Sequence, residues 1–122
     1  MNASFAAMTP TLEWVEVHPD GQVERAEGHI DSKELEVIVQ GEAKQVRAPW
    51  DATVFVGTTL SGRNNWTATA VLRQSLAPGQ SIHGTVVVLG PPDSDGNVTS
   101  ITDDLYEEVM ATIRQTRGEK AP

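Results

Sequence analysis

The residues best suited to chemistry stand together at Arg63-Asn64-Asn65-Trp66: a guanidinium fork, two amides and an aromatic face. Arg63 can pair with phosphate, Trp66 can stack on a base or sugar, and a helix that starts here turns its first N–H groups toward an anion. The combination suits a nucleotide-like ligand. Trp50, after Pro49, would be a second wall, and His83, beside Gly84 where a backbone can approach a ligand, a further contact. The same residues also have a plain structural reading. In it Asn64 or Asn65 caps the helix, and Trp66 and Trp50 belong to the core.

Other constellations say less. His18, His29 and His83 fall on three different elements, with no two at metal-ligand spacing, so each is expected to be a hydrogen-bonded histidine. Asp93, Asp95 and Asn97 have the alternate spacing of a calcium loop. The sixth position is Val98 where the turn needs Gly, Pro91-Pro92 precede it instead of a helix, and Asp104 is too short for the bidentate twelfth ligand, so a plain turn is expected. Residues 57–62 lack the lysine of a phosphate-binding loop. A hydrolase or transferase reading rests on His83 with Asp93 or Asp103 and on no motif. No catalytic residue, metal ligand or cofactor is therefore expected.

Composition narrows the setting. The chain has 122 residues, 39% apolar and 21% charged, enough for one core without staples, and no cysteine for disulfides or thiolate sites. Nine basic against seventeen acidic residues leave a net charge of −8 with no basic cluster, which disfavours direct nucleic-acid binding. Six acids and no base between Asp93 and Glu108 are the local support for docking on a basic partner, although a helix start accounts for much of that cluster. Residues 1–8 do not read as a signal peptide and no run approaches spanning length, so a cytoplasmic protein without a membrane partner is expected.

The elements that must position these residues follow from periodicity and punctuation. Residues 12–18 and 22–27 make a hairpin around Pro19-Asp20-Gly21. Asp31 and Glu34 have capping-box spacing, with Leu35, Ile38 and Val39 on one helical face before Gly41; the alternation of Leu35, Val37 and Val39 leaves a strand open. Two short strands are expected over 43–48 and 53–56, then a polar loop to Arg63. A helix follows with Ala68, Val71, Leu72 and Leu76, while β-branched Thr67, Thr69 and Val71 keep a strand alternative for 66–73. The apolar run 82–89 reads as a strand buried on both faces. Thr102 or Asp103 caps a last helix whose Leu105, Val109 and Ile113 form one stripe. The expected architecture is α+β, a mostly antiparallel sheet of about five strands with two to three helices on one face. Residues 1–11 would be a leader, 12–117 the single domain and 118–122 a tail. The expected sheet edges, 22–27 and 43–48, carry few protective lysines, which predicts a homo-oligomer.

Four of these features together are similar to one known pattern: Pro19-Asp20-Gly21 after a first strand, Asp31 and Leu35 running to Gly41, Asn65 before Ala68-Thr69-Ala70-Val71-Leu72, and residues 82–90 running to Asp95-Gly96. They resemble an uncharacterised family of small α+β proteins, a domain of unknown function, found mainly in phages, plasmids and their bacterial hosts. The resemblance spans residues 12–105 and departs at 58–63 and at the Trp50 and Trp66 pair. It implies a mobile-element accessory protein and carries over no catalytic residue. On that basis the first expected function is non-enzymatic binding that blocks or sequesters a host factor, in evasion of host defence. The second is small-ligand binding near Arg63 and Trp66.

Overall fold

Four consecutive apolar side chains at Val86–Leu89 can all be buried only if both faces of their strand are covered, and this strand forms the middle of the sheet. The computed structural model describes residues 11–58 and 62–118. Over these the chain runs β1 (Leu12–Val17), β2 (Val23–Gly28), α1 (Ser32–Val39), β3 (Ala43–Val46), β4 (Thr53–Gly57), α2 (Trp66–Val71), a 3-10 turn (Arg73–Ser75), β5 (Val86–Leu89) and α3 (Asp103–Thr116). The strands form one antiparallel sheet in the order β2-β1-β5-β4-β3. The fold is α+β. Residues 1–10 and 119–122 lie outside the described residues, and with them nearly all of the expected leader and tail.

Both ambiguous segments are helices, and local hydrogen bonds say why. Asp31 Oδ1 accepts from the Glu34 N–H at 2.8 Å, capping α1, and Gln40 in the left-handed region ends it. Asn65 Oδ1 accepts from the Ala68 N–H at 3.0 Å and starts α2. Thr102 does the same for α3 through the Leu105 N–H, with Asp103 and Asp104 in the first turn where the helix dipole favours them. The central strand is shorter than the apolar run. Gly84 takes φ +79, which no extended strand contains, so the ladder begins only at Val86.

Alternation along the strands divides the core in two. Val86 and Val88 join Val15, Val17, Val54 and Val56 under α2 and α3, where Leu72, Leu105, Val109 and Ile113 are buried against them. Val87 and Leu89 point the other way, to Leu12, Trp14, Phe55 and the α1 residues Leu35 and Val39. Each such aliphatic side chain contributes about 1.5–3 kcal/mol by leaving water. Two helices thus share one face, and α1 covers the opposite one instead of joining them. Arg25 on edge strand β2 ties the sheet to α3: its guanidinium lies 2.9 Å from Asp103 and 5.0 Å from the centre of the Tyr106 ring. The hydrogen bond that Arg25 donates to the Asp103 carboxylate holds the Arg25 pKa above its ordinary value.

The loop after β5 is a plain turn. Asp93 Oδ1 accepts the N–H groups of both Asp95 and Asn97 at 2.9 Å, the side-chain-to-backbone closure of an Asx turn. Among the described residues no helix is long and apolar enough to cross a membrane.

Unequal cover is what creates a site. α1 has only eight residues, about 12 Å of helix, and packs mainly on β3, β4 and β5. On β1 the alternation that points Leu12 and Trp14 to this face carries on to Glu16 and, one residue beyond the strand, to His18.

Candidate binding site

The segment leading into α2 is fixed to the chain before β5 by its backbone. The Asn65 N–H donates to the Ile82 carbonyl at 2.8 Å and the Gly84 N–H to the Arg63 carbonyl at 2.8 Å, with Asn64 and His83 as a bridge pair. Asn65 is wholly buried and every amide atom is used. Besides capping Ala68, its Nδ2 donates to the carbonyls of Val17 at 2.8 Å and Gly84 at 2.9 Å. One side chain therefore joins β1, the entry to β5 and the start of α2. Its own oxygen fills the helix start that was expected to receive an anion, so the site cannot rest on that feature.

The residues on either side of Asn65 differ from it. Trp66 is 65% exposed, which overturns its reading as a core residue. Arg63 is exposed and Asn64 half-buried, its Oδ1 within 3.4 Å of the Ser81 hydroxyl. Trp50, the expected second wall, is buried with the α2 and α3 cluster, and its Nε1 donates to Thr112 Oγ1 at 3.0 Å. A tryptophan cage around a nucleotide is not formed.

His83 is half-buried with both ring nitrogens engaged. The Gly62 carbonyl, 3.0 Å from Nδ1, can only accept, so that nitrogen carries a proton; Nε2 faces Ser81 Oγ at 3.2 Å. Neither Asp93 nor Asp103 meets it, since Asp93 is used in its turn and Asp103 on Arg25. The pairing of His83 with Asp93 or Asp103 considered from the sequence is not made.

A cleft of about 580 Å³ opens where α1 stops, lined among others by His18, Glu24, Thr85, Gln40, Gly62 and Arg63. Of the residues expected to bind a ligand, Arg63 belongs to it, and the aromatic residues do not. On its floor His18 Nδ1 lies 3.1 Å from Thr85 Oγ1, while Nε2 lies 3.4 Å from Glu16 Oε1 and 3.3 Å from Glu24 Oε2. Glu16 is held from behind by Trp14 Nε1, which donates to Oε2 at 2.9 Å. Glu16, His18 and Glu24 each offer one ligand atom, all within 4.8 Å of one another. The histidine spacing considered in the sequence could not find this group, because two of its three members are glutamates. A usable signal was present. Glu16 near the end of a strand and His18 just past it stand two apart, and closing the hairpin at Pro19-Asp20-Gly21 pairs Glu16 with Glu24.

Compared with protein families, curated proteins and solved structures, the chain finds no match in any of the three.

Proposed function

We propose that this protein is a non-enzymatic binding protein that engages a protein partner through the surface carrying Arg63 and Trp66, acting as a mobile-element accessory that blocks or sequesters a host factor. One observation carries the reading: Trp66 is left 65% exposed beside exposed Arg63, on a segment pinned by the buried Asn65. Trp and Arg are the side chains that most often dominate protein interfaces, and presenting them on a fixed backbone lowers the ordering cost of association. The net charge of −8 favours a basic partner and speeds encounter with it. The host setting follows from the family resemblance.

The test is capture from a bacterial lysate on immobilised wild type, Arg63→Ala and Trp66→Ala, followed by affinity measurement with the purified partner. Both variants should melt like wild type, within about 0.5 kcal/mol, because both side chains are exposed. Each should weaken the complex by about 2 kcal/mol or more, roughly thirtyfold. Retention of the same partner at full affinity by both variants would falsify the proposal.

A small anionic ligand is a second reading, favoured by the place of Arg63 on the cleft wall. Loss of ligand affinity in Arg63→Ala but not in Trp66→Ala distinguishes it, since Trp66 is not among the residues lining the cleft.

A further inference from the structure

We infer that Glu16, His18 and Glu24 form a binding site for a divalent transition-metal ion of the zinc class, with an open coordination position facing the cleft that Arg63 also lines. The inference is independent of the partner surface proposed above.

Distances are the first argument. His18 Nε2 stands 3.4 and 3.3 Å from one oxygen of each glutamate. Metal bonds of about 2.0–2.2 Å at tetrahedral angles separate neighbouring ligand atoms by roughly 3.3–3.6 Å. An imidazolium held by two carboxylates would instead donate Nε2–H to one of them at about 2.7–2.9 Å. Here Nε2 is shielded from solvent and has no hydrogen-bond partner, so neither carboxylate lies where that proton could reach it.

The surroundings are those of a ligand set. In the tautomer in which Nδ1 donates to Thr85 Oγ1, Nε2 keeps its lone pair for an ion between the two carboxylates, the arrangement that the partner of a ligating histidine's other nitrogen normally ensures. The Trp14 N–H takes Oε2 of Glu16 and leaves Oε1 directed at His18. Glu16 and Glu24 are directly opposed in the β1–β2 register, a like-charge pair that destabilises a hairpin unless a cation lies between them. Glu24 is the exposed member and can swing to close the coordination, whereas Glu16 and His18 are largely buried.

The ligand types select the ion. One imidazole and two carboxylates suit zinc, cobalt or nickel better than magnesium or calcium, which take all-oxygen shells. Three protein ligands leave a fourth position for water or an anion. The cleft of about 580 Å³ supplies the room.

The experiment uses the full chain without a histidine tag, stripped by chelator and titrated with Zn²⁺ by calorimetry and with Co²⁺ by visible absorption. One ion per chain is expected, with the intense visible bands of low-coordinate Co²⁺ and a melting temperature that rises with Zn²⁺ concentration. Glu24→Gln and His18→Gln should each weaken Zn²⁺ at least about tenfold, and Thr85→Val, which removes only the supporting contact, by about 10- to 100-fold. Circular dichroism of the metal-free variants checks that each is folded. Failure of wild type to bind either ion at about 100-fold excess over the protein, together with a melting temperature that does not move with ion concentration, overturns the inference. So does binding that Glu24→Gln and His18→Gln both leave unchanged.

Discussion

Replacing Asn65 by alanine tests how the candidate binding surface is held. The amide is wholly buried and makes three hydrogen bonds, to the Ala68 N–H at 3.0 Å and the carbonyls of Val17 and Gly84 at 2.8 and 2.9 Å. Losing the cap costs about 1 kcal/mol. Withdrawing the donor from two buried carbonyls costs about 1 kcal/mol each at the low end. The expected loss is therefore about 3 kcal/mol, a large share of the roughly 5–15 kcal/mol that holds a domain folded. In a chain of 122 residues it lowers the melting temperature by about 12 °C. Asn65→Asp keeps the cap oxygen but sets a second carboxylate oxygen against two carbonyls, and should be at least as damaging. The neighbouring Asn64→Ala is the control: half-buried, with one long side-chain contact, it should stay within about 0.5 kcal/mol. Urea unfolding followed by circular dichroism, fitted with a common slope, gives all three differences. If Asn65→Ala loses less than about 1 kcal/mol, or no more than Asn64→Ala, then Asn65 does not fasten the segment and the rigid display of Arg63 and Trp66 loses its basis.

Two further outcomes follow from the frame around the site. At Gly90 an added Cβ would meet the Ser100 carbonyl oxygen at 2.4 Å and Thr99 Oγ1 at 2.5 Å, and Gly90 is also bridged to Thr99, so Gly90→Ala should cost about 1–3 kcal/mol in urea midpoint experiments; a loss under about 0.5 kcal/mol would show that the 99–100 segment yields freely. The sheet ends on β2 and β3, the edges expected from the sequence, and β3 offers four residues with Lys44 as their one charge, so we expect light scattering at micromolar concentration to give a mass above that of the monomer. A monomer mass across the concentration range would remove the edge-pairing argument.

Much of this protein was legible because the forces concerned act over a few residues. Asp31 with Glu34, Asn65 with Ala68 and Thr102 with Leu105 are caps that close within one turn, and Leu105, Val109 and Ile113 recur at helical spacing; the structure selects Asn65 over Asn64 and Thr102 over Asp103, the choices that spacing left open. The apolar run ending at Leu89 identified the middle of the sheet, and the two charged or short strands its edges. Spacing along a chain does not say which face of a sheet a helix will cover. That depends on how the connections cross the sheet, and it set α1 apart from α2 and α3. The same choice decided the tryptophans: Trp50 falls under α3 and is buried, while Trp66, the first residue of a short helix pinned through Asn65, is turned to solvent. Only pairing between strands brings Glu24 opposite Glu16, and only the folded chain sets Glu24 and His18 on the wall of one cleft with Arg63. The charges that meet there are eight residues apart in the sequence, and the hairpin's hydrogen bonds, made between strands and not within one, put them on a common floor.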